Sequence, residues 1–332
     1  MRILIVGGGG MLGQKLVIEL AKTGNMGDKK IDQIILADAF IQPKIPSGAN
    51  FEIIPQVADI TLDGVAESLI ESKADVIFHL AAIVSGEAEA DFEKGYRVNV
   101  DGTRNLFEAI RKIGGEYCPR VVFTSSVAVY GGPYPDIVDD DFHSQPRTSY
   151  GAQKAIGELL LNDYSRRKFL DGIGVRLPTI CVRPGSPNRA ASGLFSNIIR
   201  EPLLGLEAIL PAGREVTNVF ASPRSAVGFL IKAATLDTSL LGDRRCLMMP
   251  GVAASLGDEI DSLGRVAGPQ IVSLIKEERD PIVEKMVANW NFPRFTSARS
   301  KALGFTCENE FDEIIRVHIQ DELGGKIPGL EK

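Results

Sequence analysis

The chain has 332 residues, of which 44% are hydrophobic and 24% are charged, so it is long enough for about two domains with sizeable cores. This composition excludes a disordered, coiled-coil or collagen-like chain. The net charge of -6 offers no broad positive field to a phosphodiester backbone, so we expect a small-molecule partner and no nucleic acid.

Short β-branched runs alternate with longer amphipathic segments through the first half of the chain. This alternation predicts βαβ units and an α/β fold, a Rossmann-type doubly wound parallel sheet with a smaller C-terminal α/β substrate domain. The predicted strands are residues 3–6, 34–37, 51–54, 76–80, 121–124 and 175–182. The predicted helices are residues 11–22, 96–111, 150–167, a helix capped by Ser255 that ends near Val266, and a last helix over 311–322.

The first predicted strand leads directly into glycines. Gly7, Gly10 and Gly13 form a G-x-x-G-x-x-G pattern at the start of the first predicted helix. Such a turn lets the backbone approach a pyrophosphate closely and presents helix N-terminal N–H groups to its charge. A purely structural turn is the alternative, but the order of strand, glycines and helix favours a nucleotide site that includes Met11 and Leu12.

Asp38 ends the second predicted strand, where a dinucleotide site places its ribose ligand. A carboxylate there accepts hydrogen bonds from ribose hydroxyls and repels the 2′-phosphate of NADP, so Asp38 predicts NAD as the cofactor. A solvated side chain at the end of a strand is the alternative. Asp59 and Ile60, after the third strand, are candidate neighbours of the adenine, although Asp59 could equally begin the next helix.

Small residues follow the fourth predicted strand. Leu80, Ala81 and Ala82 would let the chain pass close to the pyrophosphate. Alanines are common anywhere in a protein core, so packing is an equally good explanation of these residues.

Tyr150 and Lys154 are four residues apart on a predicted helix, so their side chains project from one face. An ammonium beside a phenol favours the phenolate and makes a tyrosine usable as a base near neutral pH. The spacing is common by chance. However, Ser125 and Ser126 follow the fifth strand, where a parallel sheet opens its carboxyl edge to ligands, so a hydroxyl there could hold a substrate oxygen beside Tyr150.

The later half of the chain changes character, with prolines and glycines clustered at residues 183–188, 211–213 and 250–251. We therefore expect two domains. Residues 1–180 form an NAD-binding domain to which 214–245 return. Residues 181–213 and 246–332 form the substrate-binding domain.

The cysteines and histidines show no metal-ligand or dithiol spacing. We expect no metal site and reduced cysteines at Cys118, Cys181, Cys246 and Cys307. The apolar run of residues 3–6 is too short for a signal peptide or a membrane span. These features predict a cytoplasmic protein without a membrane partner.

Taken together, the motifs resemble those of the extended short-chain dehydrogenases/reductases, in the NAD-dependent epimerase/dehydratase group, over essentially the whole chain. The residues that carry the resemblance are 7–13, Asp38, 79–82, 99–103, 125–126, 129–131 and 150–154. The resemblance implies that Tyr150 is the general acid/base, that Lys154 binds the nicotinamide ribose and tunes Tyr150, and that Ser126 orients the substrate oxygen, with Ser125 as its structural neighbour.

The resemblance implies roles for three further residues and a quaternary state. Asn99 would lie beneath the active site and support a water relay, although a packing role is equally compatible with its sequence position. Pro178 and Thr179 match by position the segment beside the nicotinamide. The family's four-helix interface implies a homodimer formed by the helices that start near Tyr96 and Tyr150.

Two departures from the group's patterns reduce the number of reactions that this chain is expected to catalyse. Dehydratases of this group place Asp-Glu directly after the catalytic hydroxyl, where this chain has Val127 and Ala128. Nucleotide-sugar epimerases carry an arginine that binds the diphosphate, and the matching stretch 216–223 lacks it. Residues 176–188, 190–192, 198–203 and 292–295 are similar instead to a branch of the family that oxidises a four-carbon sugar acid at C2 with NAD.

A small hydroxy acid needs a partner for its carboxylate. Arg183 lies in a loop rich in glycine and proline and could supply a bidentate contact, although pairing on the surface is the alternative. Ser85 and Asn188 are further candidate substrate contacts.

Three functions from different classes remain possible on these residues. The leading hypothesis is an NAD-dependent dehydrogenase that oxidises a small anionic sugar acid to the 2-oxo acid. The second is a nucleotide-sugar epimerase with tightly bound NAD. The third is a catalytically silent nucleotide-sensing module, against which the intact Ser126, Tyr150 and Lys154 argue.

Overall fold

The computed structural model describes residues 1–40, 42–185, 193–288, 292 and 294–331. The chain divides into two compact units. The first unit comprises Met1–Tyr130, Ser144–Leu177 and Val227–Met248. The second unit comprises Gly131–His143, Pro178–Ala226 and Met249–Lys332.

The β-strands of the described residues range from two to seven residues in length. They are β1 (Arg2–Val6), β2 (Asn25–Met26), β3 (Lys29–Lys30), β4 (Gln33–Asp38), β5 (Glu52–Val57), β6 (Val76–His79), β7 (Arg120–Ser126), β8 (Ile137–Val138), β9 (Asp171–Leu177), β10 (Thr179–Ile180), β11 (Ala208–Leu210), β12 (Thr217–Ala221), β13 (Cys246–Met248), β14 (Val252–Ser255), β15 (Ile275–Glu277) and β16 (Arg294–Phe295).

The α-helices follow the strands along the chain. They are α1 (Met11–Thr23), α2 (Val65–Ile70), α3 (Ser85–Ala90), α4 (Phe92–Tyr96), α5 (Gly102–Ile113), α6 (Ser149–Arg166), α7 (Leu194–Leu203), α8 (Pro223–Thr235), α9 (Leu256–Ala267), α10 (Pro269–Val272), α11 (Pro281–Ala288), α12 (Ala298–Ala302) and α13 (Phe311–Glu322). A π-helix, Arg97–Asp101, joins α4 to α5, and short 3₁₀ helices span Val127–Val129, Thr238–Leu241 and Pro328–Leu330. Within the described ranges, no helix is both long and apolar enough to cross a membrane.

The first unit is built on a parallel sheet of seven strands, in the order β13-β9-β7-β6-β1-β4-β5. The central strands are buried along almost their whole length, as in β1 and β6, because helices cover both faces. Ligands of such sheets bind outside the carboxyl ends of the strands, at the point where the strand order reverses. The predicted doubly wound parallel sheet is confirmed.

Five of the six predicted strands are confirmed as β1, β4, β5, β6 and β7, with ends shifted by up to three residues. The sixth prediction, a single strand over 175–182, is wrong. β9 ends at Leu177 in the seven-stranded sheet, whereas β10 pairs with β12 in a different sheet. Pro178 separates them, because proline has no N–H to donate to the ladder. The short strand β13 has no counterpart among the predicted strands.

The predicted helices are largely confirmed. α1, α6 and α13 match the predictions to within one residue at each end. α9 starts after a capping box in which Ser255 and Asp258 exchange hydrogen bonds with each other's backbone, as the sequence predicts. The single helix predicted over 96–111 is instead the π-helix Arg97–Asp101 followed by α5.

The second unit has its own sheet and core. β10, β12 and β14 form a three-stranded sheet, in which β10 and β12 are parallel and β12 and β14 are antiparallel. The buried core brings together side chains of α7, α9 and α13 with side chains of β12 and β14. Residues 214–226, which the sequence interpretation assigns to the first domain, belong to this second unit because β12 pairs here and not in the seven-stranded sheet.

Candidate active site

The glycine-rich turn after β1 leaves no space for side chains. Gly7 has a φ of +90°, and a Cβ on it would lie 2.5 Å from the backbone nitrogen of Ala81. A Cβ on Gly13 would lie 2.5 Å from the carbonyl oxygen of Gly7, so α1 packs directly on the turn. α1 begins at Met11 with Gly10 as its N-cap, and among described residues no side chain caps it. The N–H groups of its first turn are therefore suited to an anionic ligand.

The carboxylate of Asp38 is held beside this turn. Its Oδ2 accepts a hydrogen bond of 3.0 Å from the N–H of Gly9, and its Oδ1 accepts one of 3.0 Å from the N–H of Phe40. The N–H of Gly7 donates to the carbonyl of Ala37, the residue before Asp38, at 2.8 Å. The end of β4 is thus fixed against the end of β1, in the position where the motif requires a ribose ligand.

A cleft opens at the carboxyl ends of β1, β4, β5 and β6 in the first unit. It contains six of the residues that the sequence predicts for the cofactor, and it is lined by Val6, Gly7, Asp38, Ala39, Phe40, Ala58, Asp59, Ile60, Ala81, Ala82, Ile83 and Val98. The sequence interpretation missed Phe40, whose side chain is 72% exposed, and Val98. Neither belongs to a motif, and only closeness in space assigns them to the cleft.

Hydrogen bonds fix the loops that follow β5 and β6 beside the cleft. The carboxylate of Asp59 accepts the N–H of Thr61 at 2.9 Å, so it stabilises a turn, and α2 begins later, at Val65. The N–H groups of Leu80 and Ala81 donate to the carbonyl of Val6 at 2.8 and 2.9 Å. The loop after β6 is therefore held against the end of β1, and the predicted approach of residues 80–82 to a pyrophosphate stays a prediction. Met11 and Leu12, on the first turn of α1, are both partly buried.

Ser125 and Ser126 have different surroundings, although they are neighbours at the end of β7. Successive side chains of a strand point to opposite faces. Ser125 is buried and donates to Glu158 Oε1 at 2.6 Å. Ser126 is partly exposed, and its Oγ accepts the N–H of Ala128 at 3.1 Å, which leaves the hydroxyl proton able to donate to a substrate oxygen.

Close packing sets the helix that carries Tyr150 against the segment that carries Ser126. α6 is capped by Thr148, whose hydroxyl accepts the N–H of Gly151 at 3.1 Å. A Cβ on Gly151 would lie 2.1 Å from the carbonyl oxygen of Ala128. Only glycine permits this approach, which brings the first turn of α6 to the end of β7.

Lys154 lies one turn after Tyr150 and is almost completely buried. Its Nζ donates to the carbonyl of Thr124 at 2.8 Å and lies 5.7 Å from the centre of the Tyr150 ring. Burial lowers the pKa of Lys154 to about 7, and the nearby Glu158 carboxylate opposes that shift. The three candidate catalytic residues, Ser126, Tyr150 and Lys154, thus lie on two packed segments of one unit.

Asn99 is buried in the π-helix, and its amide is bonded to protein groups. Its Oδ1 accepts the N–H of Ile83 at 2.8 Å, and its Nδ2 donates to the carbonyl of Ile83 at 3.0 Å and to Gln153 Oε1 at 2.7 Å. Asn99 therefore braces the loop that follows β6. The sequence interpretation missed Gln153, whose only signal is its place directly before Lys154.

The remaining residues predicted to contact the substrate or the nicotinamide lie in other segments of the chain. Ser85, the first residue of α3, is partly buried in the first unit. In the second unit, Thr179 donates to Asn218 Oδ1 at 3.0 Å, and Pro178 precedes it. Asn188 lies outside the described residues.

Arg183 follows β10 in the second unit and is fixed at three points. Its N–H donates to Ser196 Oγ at 3.0 Å, and its carbonyl accepts from Arg200 at 2.8 Å. Its Nε donates to the carbonyl of Ile180 at 3.1 Å. The backbone and the inner guanidinium nitrogen are therefore held in place, which preorganises the side chain.

Residues 3–217 match the family model described as the NAD dependent epimerase/dehydratase family. The chain therefore belongs to this family, and the cofactor prediction of NAD is confirmed. It is 43% identical to the D-erythronate dehydrogenase of Cupriavidus necator, over 97% of this chain and 98% of that protein. It is 38% identical to the D-erythronate dehydrogenase of Haemophilus influenzae, over 97% of this chain and 100% of that protein. The chain is an NAD-dependent dehydrogenase.

A solved structure supports the fold independently. The crystal structure described as that of the nucleoside-diphosphate-sugar epimerase from Agrobacterium tumefaciens superimposes with a TM-score of 0.95 at 55% identity, and the match covers 98% of this chain and 96% of that one. The fold and the family thus agree, while the similar proteins include both dehydrogenases and an epimerase.

Replacing Asp38 tests its assignment to the ribose. In the native chain we expect NAD to be preferred over NADP, because a carboxylate close to a 2′-phosphate is repelled at a cost of about 4 kcal/mol at an intermediate dielectric constant. Asp38→Ser should lower the ratio of kcat/KM for NAD to kcat/KM for NADP by roughly 10-fold or more. Asp63→Ser, at an exposed carboxylate, is the control. Equal use of both cofactors by the native chain would contradict the assignment.

Proposed function

We propose that this chain oxidises D-erythronate at C2 to the corresponding 2-oxo acid. The observation that carries the proposal is the identity of 43% over 97% of the chain with a D-erythronate dehydrogenase. The packed Ser126, Tyr150 and Lys154 segments supply groups suited to the oxidation of a carbinol carbon.

The bound NAD is proposed to lie in the cleft at the strand ends. The Gly7, Gly10 and Gly13 turn, with Met11 and Leu12, would approach the pyrophosphate, and Asp38 would bind the ribose hydroxyls. The adenine would lie near Asp59 and Ile60, and the chain at 80–82 would border the pyrophosphate. Asn99 would support the wall of the site, and Pro178 and Thr179 would border the nicotinamide. The cofactor, when bound, accepts the hydride that leaves C2.

The reaction removes a hydride and a proton from the substrate. Tyr150, as the phenolate, is proposed to accept the proton of the C2 hydroxyl. Ser126 would donate a hydrogen bond to the same oxygen, since accepting the N–H of Ala128 leaves its hydroxyl proton available. The Lys154 ammonium would favour the phenolate and bind the nicotinamide ribose, held in place by its bond to the Thr124 carbonyl.

The substrate is proposed to be small and anionic. Arg183 would bind its carboxylate with the terminal guanidinium nitrogens, because the Nε is already bonded to Ile180. Ser85 and Asn188 are further proposed contacts.

The test is an assay of NADH formation from four- to six-carbon sugar acids, with UDP-sugars as the opposing set. We expect erythronate to give the largest kcat/KM and the uncharged erythritol a far smaller one. Arg183→Ala should mainly raise KM for erythronate and reduce its advantage over erythritol, and Arg183→Lys should recover only part of the loss, because an ammonium cannot grip both carboxylate oxygens. Unchanged discrimination in Arg183→Ala would remove Arg183 from the site.

A nucleotide-sugar epimerase with tightly bound NAD is the second candidate, favoured by the description of the 55% identical solved structure as a nucleoside-diphosphate-sugar epimerase. The absence of the diphosphate-binding arginine from residues 216–223 argues against it. The two functions differ in cofactor use, since a dehydrogenase needs added NAD for each turnover. Greater activity on a UDP-sugar than on every sugar acid would overturn the proposed substrate.

The enzyme is further proposed to be a cytoplasmic homodimer. Within the described residues, none of the four cysteines forms a disulfide, and thiols are the usual state of cysteines in the cytoplasm. Leu159, on the α6 helix that would form the interface, is 69% exposed. Light scattering at micromolar concentration should give the mass of two chains, and a monomeric mass would contradict the proposed interface.

A further inference from the structure

A buried ion pair joins α6, the helix that carries Tyr150 and Lys154, to strand β9. Glu158 lies on α6, one turn after Lys154, and Arg176 lies on β9. Arg176 donates to the two carboxylate oxygens of Glu158 at 2.8 and 2.6 Å. The side chains are 14% and 5% exposed for Arg176 and Glu158, so the pair is largely desolvated. Such a bidentate pair is geometrically specific, and the removal of one partner leaves a buried charge.

Both ends of the Ser126 segment are bound to this pair. Ser125, which precedes Ser126 and lies opposite Arg176 in the sheet register, donates to Glu158 at 2.6 Å. Tyr130, at the other end of the segment, accepts from Arg176 through its hydroxyl at 2.6 Å. The pair thus links residues on either side of Ser126 to the helix that carries Tyr150 and Lys154.

Glu158 of this pair also acts on the charge of Lys154. His79 from β6 and both Tyr150 and Glu158 from α6 interact with Lys154, and Arg176 from β9 pairs in turn with Glu158. Burial keeps the pKa of His79 at about 3, so this imidazole is neutral at neutral pH. Glu158 is therefore the nearby anion that favours the ammonium form of Lys154.

We infer that Glu158 and Arg176 are positioning residues of this active site: they fix Ser126 relative to Tyr150, and Glu158 favours the charged form of Lys154. This inference rests on the proposed roles of Ser126, Tyr150 and Lys154. It does not depend on which sugar acid is oxidised.

The first test follows NAD binding by calorimetry across neutral and alkaline pH. Affinity should fall as Lys154 loses its proton. Glu158→Gln removes the anion and leaves Arg176 cationic, so the proton is lost more readily and the midpoint of the fall should move to lower pH. Glu158→Gln combined with Arg176→Met leaves no unpaired buried charge, and its midpoint should lie between those of the native chain and the single variant.

The control is Glu108→Gln, which removes a carboxylate paired with Arg111 on α5 and should leave the midpoint unchanged. If Glu158→Gln does not fold, the double variant decides, since its midpoint should still lie below the native one. Equal midpoints in the native chain and every folded variant would overturn the inference. The proposed function fails by a different result, namely NAD binding without NADH formation from any sugar acid.

The second test removes the bonds to the Ser126 segment without changing a charge. Ser125→Ala and Tyr130→Phe should each lower kcat by about 10- to 100-fold, the effect of a misplaced reacting group, with little change in NAD affinity. Ser165→Ala and Tyr117→Phe, at hydrogen-bonded residues elsewhere in the first unit, are matched controls with native kcat. A native kcat in both Ser125→Ala and Tyr130→Phe would contradict the positioning role.

Discussion

Tyr150→Phe should lower turnover by about 10² to 10⁴-fold and leave NAD binding nearly unchanged. The reason is that the substitution removes only the phenolic oxygen, which is proposed to accept the C2 hydroxyl proton, and keeps the ring near the Lys154 ammonium. The measurement is kcat from NADH formation with erythronate, together with the Kd of NAD from calorimetry.

The matched control for this variant is Tyr164→Phe on the same helix. The Tyr164 hydroxyl donates to Glu108, far along α6 from Tyr150, so its loss should leave kcat native. A Tyr150→Phe chain with near-native turnover would remove Tyr150 from the chemistry. A loss of NAD binding as large as the loss of turnover would assign Tyr150 to the cofactor instead.

Lys154→Met should impair both steps. The Lys154 ammonium is proposed to bind the nicotinamide ribose, and hydrogen bonds to charged groups contribute about 1.5 to 3 kcal/mol, so NAD should bind about 10- to 100-fold more weakly. Turnover should also fall at saturating NAD, because the phenolate of Tyr150 loses the cation beside it. Methionine fills much of the buried space, which limits the effect on folding.

Lys112→Met is the control, since this lysine pairs with Glu67 on the surface and should affect neither constant. Normal NAD affinity and normal turnover in Lys154→Met would show that the Y-x-x-x-K spacing is ordinary helix packing. Weaker NAD binding with unchanged kcat would retain the ribose contact and reject the effect on Tyr150.

The amino-acid sequence by itself determined the elements that depend on local pattern. Continuous apolar runs predict β1, β4, β6 and β7, because strands covered on both faces need apolar residues throughout, and a shorter run predicts β5 at the edge of the sheet. Glycines at the start of a helix predict the turn after β1. The backbone of the neighbouring loop lies so close to Gly7 that no residue with a Cβ fits at this position. The carboxyl ends of parallel strands then predict on which edge the cofactor residues meet.

The tertiary structure alone decided how residues far apart in the chain are combined. Strand alternation predicts that Ser125 and Ser126 point to opposite faces, but only the packing of α6 makes Ser125 the partner of Glu158. Pro178 interrupts the predicted sixth strand, because it has no N–H to donate to the ladder. The pairing of the second part, β10, with β12 joins residues far apart in the sequence and is decided by tertiary packing. The Glu158–Arg176 pair has no sequence motif of its own in this chain. It forms because folding buries both side chains next to one another, and two charges removed from water are stable only when they are paired.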